Sequence, residues 1–178
     1  MVRIRKTPFQ IGRTVGNARI VHDERIADPH VEIVWTKDKL HVRNLTAQAS
    51  LFERVARATL SVGQVIRIGQ TRYQYGDPGE LMPLDSRDGP RWIPLKDNKV
   101  WVGRDPGLGG IVVKDATADL RHACLARDGS GKWRITDNGS LNGTWISVPE
   151  IVVENVAEFF LGEQGFRLEI PLNDHLSK

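Results

Sequence analysis

The chain has 178 residues, 40% of them hydrophobic and 26% charged, with a formal net charge of +3. That composition is globular rather than disordered, and the length suits one ordinary domain or two small ones. No stretch approaches the roughly 20 apolar residues that cross a bilayer, so direct membrane insertion is not expected. The basic start Met1-Val2-Arg3-Ile4-Arg5-Lys6 leads into no apolar run of the kind a secretory signal needs.

Read forward, the chain offers few helix signals. Short β-branched and apolar runs follow one another instead: Val31-Glu32-Ile33-Val34-Trp35, Leu40-His41-Val42-Arg43, Val65-Ile66-Arg67-Ile68, Ile111-Val112-Val113 and Lys132-Trp133-Arg134-Ile135. The second and the last alternate apolar with polar residues, the period of a half-buried strand. Turn residues punctuate them at Asp38-Lys39, Gly69-Gln70, Asp128-Gly129-Ser130-Gly131, Asn138-Gly139 and Asn142-Gly143. Many short strands at such spacing predict an all-β sandwich or barrel.

The stretch from Gly76-Asp77-Pro78-Gly79 to Asp88-Gly89-Pro90 is rich in Gly, Pro and Asp and reads as a linker. On either side the pattern restarts. Phe9-Gln10-Ile11-Gly12-Arg13 matches Val100-Trp101-Val102-Gly103-Arg104. Ala27-Asp28-Pro29-His30-Val31 matches Asp119-Leu120-Arg121-His122-Ala123. Leu40-His41-Val42-Arg43-Asn44 matches Trp133-Arg134-Ile135-Thr136-Asp137, and Val62-Gly63-Gln64 through Tyr73 matches Phe160-Leu161-Gly162-Glu163-Gln164 through Leu168. Four matches in the same order at a nearly constant offset predict two copies of one module. The expected division is a sandwich over 1–76, a linker over 77–91 and a second sandwich over 92–178.

The second copy carries Gly103-Arg104, then Asp119-Leu120-Arg121-His122-Ala123, then Thr136-Asp137-Asn138-Gly139-Ser140-Leu141-Asn142-Gly143-Thr144. This ordered set resembles the forkhead-associated (FHA) family. The resemblance implies an eleven-stranded β-sandwich whose loops at one end bind phosphothreonine in partner proteins. Physical chemistry supports the same role. A phosphothreonine carries about −1.5 to −2 charges and three acceptor oxygens, which an arginine fork matches. Arg104 is the expected fork, with Gly103 letting the backbone turn tightly in front of it. Asn142-Gly143 is a tight-turn pair, and the Asn142 amide can both donate to and accept from an extended peptide. Thr144 holds the turn through its hydroxyl. By the family pattern His122 braces the loops, and Asp137 and Ser140 support them.

The family places a serine three residues before the loop histidine; here that residue is Asp119, whose carboxylate would repel a phosphate. Three arrangements relieve the conflict: Asp119 points away and caps the backbone, Arg121 or Lys114 neutralises it, or Thr117 supplies the missing hydroxyl. The first copy departs further. It keeps Gly12-Arg13 and His30, but has Ala27 at the serine position and Ala49-Ser50-Leu51 in place of Asn-Gly-Thr, so it is expected to be a degenerate copy.

No catalytic set stands out, and neither an enzyme activity nor a cofactor is expected. The histidines lack metal-ligand spacing, and no cysteine cluster accompanies them. Gly107-Leu108-Gly109-Gly110 lacks the Lys-Ser/Thr of a phosphate-binding loop, and the carboxylates Asp85 and Asp88 look solvated. The single cysteine, Cys124, reads as a small core residue and points to the cytoplasm. No basic run or aromatic stacking platform suggests nucleic acid. The reading is a phosphothreonine-dependent adaptor, whose partner the resemblance links to a Ser/Thr kinase. The chain is expected to be an independent adaptor or a terminal fragment of a larger protein. The alternatives are a phosphate-independent scaffold and a ligand-binding or nucleic-acid-binding barrel.

Overall fold

The computed structural model describes residues 4–86 and 89–171; residues 1–3 of the basic start and Asp88 of the carboxylate pair lie outside them. In chain order the strands are β1 (Phe9–Gly12), β2 (Ala18–Arg19), β3 (Val31–Thr36), β4 (Lys39–Asn44), β5 (Leu51–Val55), β6 (Arg57–Thr59), β7 (Val65–Ile68), β8 (Thr71–Gly76), β9 (Glu80–Pro83), β10 (Ile93–Pro94), β11 (Lys99–Gly103), β12 (Ile111–Val112), β13 (Ala123–Arg127), β14 (Trp133–Asp137), β15 (Thr144–Val148), β16 (Glu150–Val153), β17 (Val156–Leu161) and β18 (Gln164–Glu169). The fold is all-β, with no helix among the described residues.

Two compact units form, and they do not follow the expected linear division. One joins Met1–Glu53 to Val148–Lys178; the other is the continuous stretch Arg54–Ser147. In the first unit one sheet runs β16-β4-β3-β1-β2, and β5-β17-β18 form the second layer. Ile11, Val31, Ile33, Leu40 and Val42 from the first layer share a core with Leu51, Phe159 and Leu161 from the second. In the second unit β12-β11-β13-β14-β6 form one layer and β10-β9-β8-β7-β15 the other. Val102, Leu125, Trp133 and Ile135 of the former are buried, as are Ile66, Ile68, Tyr73, Tyr75 and Leu81 of the latter.

The hairpins that close each copy have therefore been exchanged. Strand β7 from the first repeat pairs with β15 of the second (Thr144↔Ile68, Ile146↔Ile66). Strand β17 from the second repeat pairs with β5 of the first (Phe159↔Glu53, Leu161↔Leu51). Likewise β6 pairs with β14 and β16 with β4. The cause is local. Only Ala56 separates β5 from β6, and only Pro149 separates β15 from β16. A tight reversal between antiparallel neighbours takes about two loop residues, usually Gly or Asn. A one-residue connector cannot turn the chain back, so each strand runs on into a different layer. The carbonyls of both connectors are used alike: Ala56 accepts from the Asp137 amide at 2.9 Å, and Pro149 from the Asn44 amide at 2.9 Å.

The expected linker over 77–91 is also partly strand. β9 pairs with β8 (Tyr75↔Leu81, Gly76↔Glu80) and with β10 (Ile93↔Leu81). Its Gly and Pro residues mark turns between short strands rather than an untethered connection. Asp85 is not a free solvated carboxylate: it accepts from the Arg72 guanidinium at 3.0 and 2.5 Å.

Candidate functional site

Every candidate site residue from Gly103 to Thr144 lies within the continuous unit Arg54–Ser147. β11 ends at Gly103, and Arg104 enters the loop beyond it. The Arg104 amide donates to the Asp119 carbonyl at 3.0 Å, and the Asp105 amide to the Leu120 carbonyl at 3.2 Å. This contact explains Gly103 better than a tight turn does. A Cβ there would lie 2.8 Å from the Leu120 carbonyl carbon and 2.9 Å from the Asp119 carbonyl oxygen, so only glycine lets the two backbones meet. The Arg104 side chain is exposed, and its guanidinium makes no hydrogen bond or ion pair among the described residues.

Beneath the loops sits His122, fully buried. Its Nδ1 accepts from the Asp119 amide at 3.1 Å, which places the ring proton on Nε2, 3.0 Å from the Gly143 carbonyl. One imidazole thus ties the 119–122 segment to the 138–143 loop. Asp137 braces that loop from the other side. Its carboxylate accepts from the Ser140 hydroxyl at 2.5 Å, the Ser140 amide at 3.0 Å and the Thr144 hydroxyl at 2.6 Å. Burial alone would raise the Asp137 pKa, but the hydroxyls of Ser140 and Thr144 outweigh it and hold the carboxyl below its usual range. Ser140 and Thr144 are themselves buried, with both hydroxyl protons given to Asp137. Their position is that of loop supports.

Asp119 adopts the capping arrangement: its carboxylate accepts from the Leu141 amide at 2.7 Å. Arg121 and Lys114 are exposed and form no ion pair with it among the described residues. The Thr117 hydroxyl donates to Asp115 at 2.7 Å. Its carbonyl accepts from the Asn142 amide nitrogen at 2.7 Å. Asn142 is exposed, as the tip of a turn should be, and Gly143 adopts φ +75° where a side chain would be strained. Arg104, Lys114 and Arg121 are thus the exposed cations on loops cross-bonded through Asp119, His122 and Asn142.

Two contributions were missed in the sequence. Asp115 accepts from the Gln70 amide at 2.6 Å as well as from Thr117, fastening the 115–118 loop to the β7–β8 turn. Its Asp-x-Thr spacing is the signal of an Asx turn, yet nothing local names Gln70 as the second partner. Trp145 donates its indole N–H to the Asn142 carbonyl at 2.8 Å, and the Arg54 guanidinium lies 5.8 Å from the centre of its ring.

The first copy repeats this scaffold almost bond for bond. The Arg13 amide donates to the Ala27 carbonyl, the Ala27 amide to His30 Nδ1 at 3.3 Å, and His30 Nε2 lies 3.2 Å from the Ser50 carbonyl. Burial lowers the His30 pKa. Asp23 takes the place of Asp115, accepting from the Glu163 amide at 2.7 Å in the β17–β18 turn. The exposed site differs. The Asp28 carboxylate accepts from the Thr14 amide and hydroxyl at 2.6 Å and the Val15 amide at 3.0 Å, which lowers its pKa to about 2. No asparagine stands at the loop tip; Asn44 instead donates inward to the Thr46 and Ala49 carbonyls.

No group of His, Cys, Asp or Glu able to hold a metal occurs among the described residues. Among the described residues no helix is long and apolar enough to cross a membrane.

Residues 100–155 match the family model of the FHA domain, a protein-interaction module that generally binds phosphothreonine peptides. The matched stretch contains Gly103, Arg104, Asp119, His122, Asp137, Asn142 and Thr144. The chain is also similar to the E3 ubiquitin-protein ligase RNF8 of Bos taurus, 30% identical over 115 residues. That similarity takes in 56% of this chain but only 23% of the ligase, and it covers an FHA region rather than a ligase domain.

Proposed function

We propose that this protein is a non-enzymatic adaptor that binds a phosphothreonine-containing partner through the loops carrying Arg104 and Asn142. The observation that carries the reading is Arg104 itself. It is an exposed guanidinium with no partner among the described residues, projecting from a backbone position that Gly103, Asp119 and Leu120 pin. With the backbone beneath it already ordered, only the side chain has to be fixed on binding, and its charge-assisted bonds to phosphate are roughly twice as strong as neutral ones. Lys114 and Arg121 add positive charge nearby. The Asn142 side-chain amide has one hydrogen bonded to Thr117, which leaves its Oδ1 and second hydrogen for a peptide backbone.

In this reading the partner is a product of a Ser/Thr kinase, and the encounter takes place in the cytoplasm. The first copy is a degenerate FHA-like sandwich. It keeps the buried histidine brace, but it places the Asp28 carboxylate in the loop that follows Arg13, where an incoming phosphate would be repelled.

The test is binding to phosphothreonine, phosphoserine and unphosphorylated peptide libraries. Selective retention of phosphothreonine is expected, with Arg104→Ala losing about 2–3 kcal/mol of affinity, or roughly 30-fold to 150-fold, without unfolding. Arg13→Ala is expected to bind as the parent does. Unchanged binding by Arg104→Ala would remove the assignment. A second reading, a phosphate-independent scaffold, draws on the carboxylate of Asp119 beside the site; equal binding of phosphorylated and plain peptides by the folded protein would select it.

A further inference from the structure

A sheet that ends in an open strand is exposed to pairing with another chain, and proteins commonly keep such strands short. Most edges here obey that rule. β2, β10 and β12 have two residues each, β6 has three and β16 has four. β18 is the exception: it ends its layer with six residues, Gln164–Glu169. Its counterpart in the other unit is not an edge. There β8, the second strand of the closing hairpin, is paired on its far side by β9 (Tyr75↔Leu81, Gly76↔Glu80). Among the described residues no strand takes that place beside β18. The pairing with β17 decides which groups face the open side. The Ile170 amide donates to the Asn155 carbonyl at 2.8 Å, and in the same ladder Leu168 and Phe166 oppose Ala157 and Phe159. Hydrogen-bonded and non-hydrogen-bonded pairs alternate along an antiparallel ladder. Residues 164, 166, 168 and 170 therefore bond to β17, while the backbone N–H and C=O groups of Gly165, Arg167 and Glu169 point outward.

We infer that β18 is a self-association edge, on which β18 of a second copy of this chain adds antiparallel about a twofold axis. Charge complementarity names the occupant and the register. Outward residues must meet outward residues, so the registers step by two. Three of them overlap most of 164–170. The fullest sets Arg167 against its own copy, which places like charges directly opposite. A shift one way leaves Arg167 opposite Gly165, with no charge to meet. A shift the other way sets Arg167 opposite Glu169 of the second copy, and the twofold axis repeats the pair. Leu168 then faces its own copy and Phe166 faces Ile170. Arg167, Glu158 and Glu169 already share one face of the hairpin, with Arg167 3.4 Å from Glu158 and 3.6 Å from Glu169. Phe166 and Leu168 pack on the core from the other face, and the Phe166 ring stacks on Phe159 at 5.2 Å. The edge is thus ordered before a second strand arrives, which lowers the cost of pairing. β18 and the Arg104 loops belong to different units, so the inference does not depend on the phosphothreonine reading.

The experiment is sedimentation of the full chain, of Arg167→Glu, of Glu169→Arg and of an equal mixture of the two variants. The parent is expected to sediment at twice the chain mass. Each variant alone sets like charges opposite in its own pair and is expected to sediment as a single chain. The mixture restores both opposite-charge pairs and is expected to return to twice the chain mass. Amide exchange on the parent gives a second readout that needs no variant to fold. In the dimer the Arg167 and Glu169 amides are expected to be protected, because the second copy accepts their hydrogen bonds. A parent that sediments as a single chain overturns the inference, and protected amides in that single chain would show that the chain covers its own edge. A dimer whose Arg167 and Glu169 amides exchange freely, dimers of either variant alone, or folded variants that stay single in the mixture also overturn it.

Discussion

Residues 54–147 are expected to fold and to bind phosphopeptide alone, whereas residues 92–178, a complete copy by sequence, are not. The 54–147 segment contains all of β6–β14, the site loops and the β7–β8 turn that Asp115 grips. Starting at residue 92 removes Leu60, Ile66, Ile68, Tyr73, Tyr75 and Leu81, each no more than 6% exposed. At about 1.5–3 kcal/mol per large buried apolar side chain, the gross loss is about 9–18 kcal/mol. A whole domain is stable by only about 5–15 kcal/mol. Removing the segment also leaves the polar groups of β15 and β14 without the ladders that β7 and β6 supply. The assay is urea unfolding followed by tryptophan fluorescence, with buried Trp133 as reporter, together with phosphopeptide binding. A cooperative transition and binding close to the parent's are expected for 54–147. A stable, binding-competent 92–178 alongside an unfolded 54–147 would refute the exchange, because β17–β18 would then close their own repeat.

Two further outcomes follow from the loop network. Asp137→Ala leaves the buried hydroxyls of Ser140 and Thr144 without their acceptor. At about 1–3 kcal/mol for each orphaned group the loss is about 2–6 kcal/mol, a fall in Tm of at least about 8 °C by calorimetry. Because the folded Asp137 carboxyl titrates below its unfolded value, its contribution is complete above the unfolded pKa, near 4, and disappears as pH falls through the lowered folded value. The variant should therefore lose less stability than the parent over that acid range. Asp119→Asn keeps an acceptor for the Leu141 amide and removes the charge. Phosphopeptide binding is expected to strengthen about tenfold, from a like-charge penalty on the order of 1–2 kcal/mol; weaker binding by calorimetric titration would show that the site needs the anion.

Much of the site was legible because its chemistry is local. Gly103-Arg104, His122, Asp137 and Asn142-Gly143 each occupy a strand end or turn whose residue types limit what the backbone can do. Where sequence reasoning misjudged, the cause was a distant neighbour. Gly103 is needed for the approach of residues 119 and 120 rather than for a turn. Asp115 and Asp23 passed unnoticed because their partners, the Gln70 and Glu163 amides, are far away in the chain.

By itself the sequence determined the all-β class and where many of the short strands and turns fall. Alternating burial, turn residues and the two Gly-Arg and His positions are properties of short segments. Only the tertiary structure decided which hairpin closes which sandwich. Val65–Ile68 and Val156–Leu161 each read as a strand from their own residues, while the strand each pairs with lies far away in the chain. That choice fell to the connectors at Ala56 and Pro149, too short to reverse the chain, and to the long-range ladders that β15 and β5 then formed with the other repeat's hairpin.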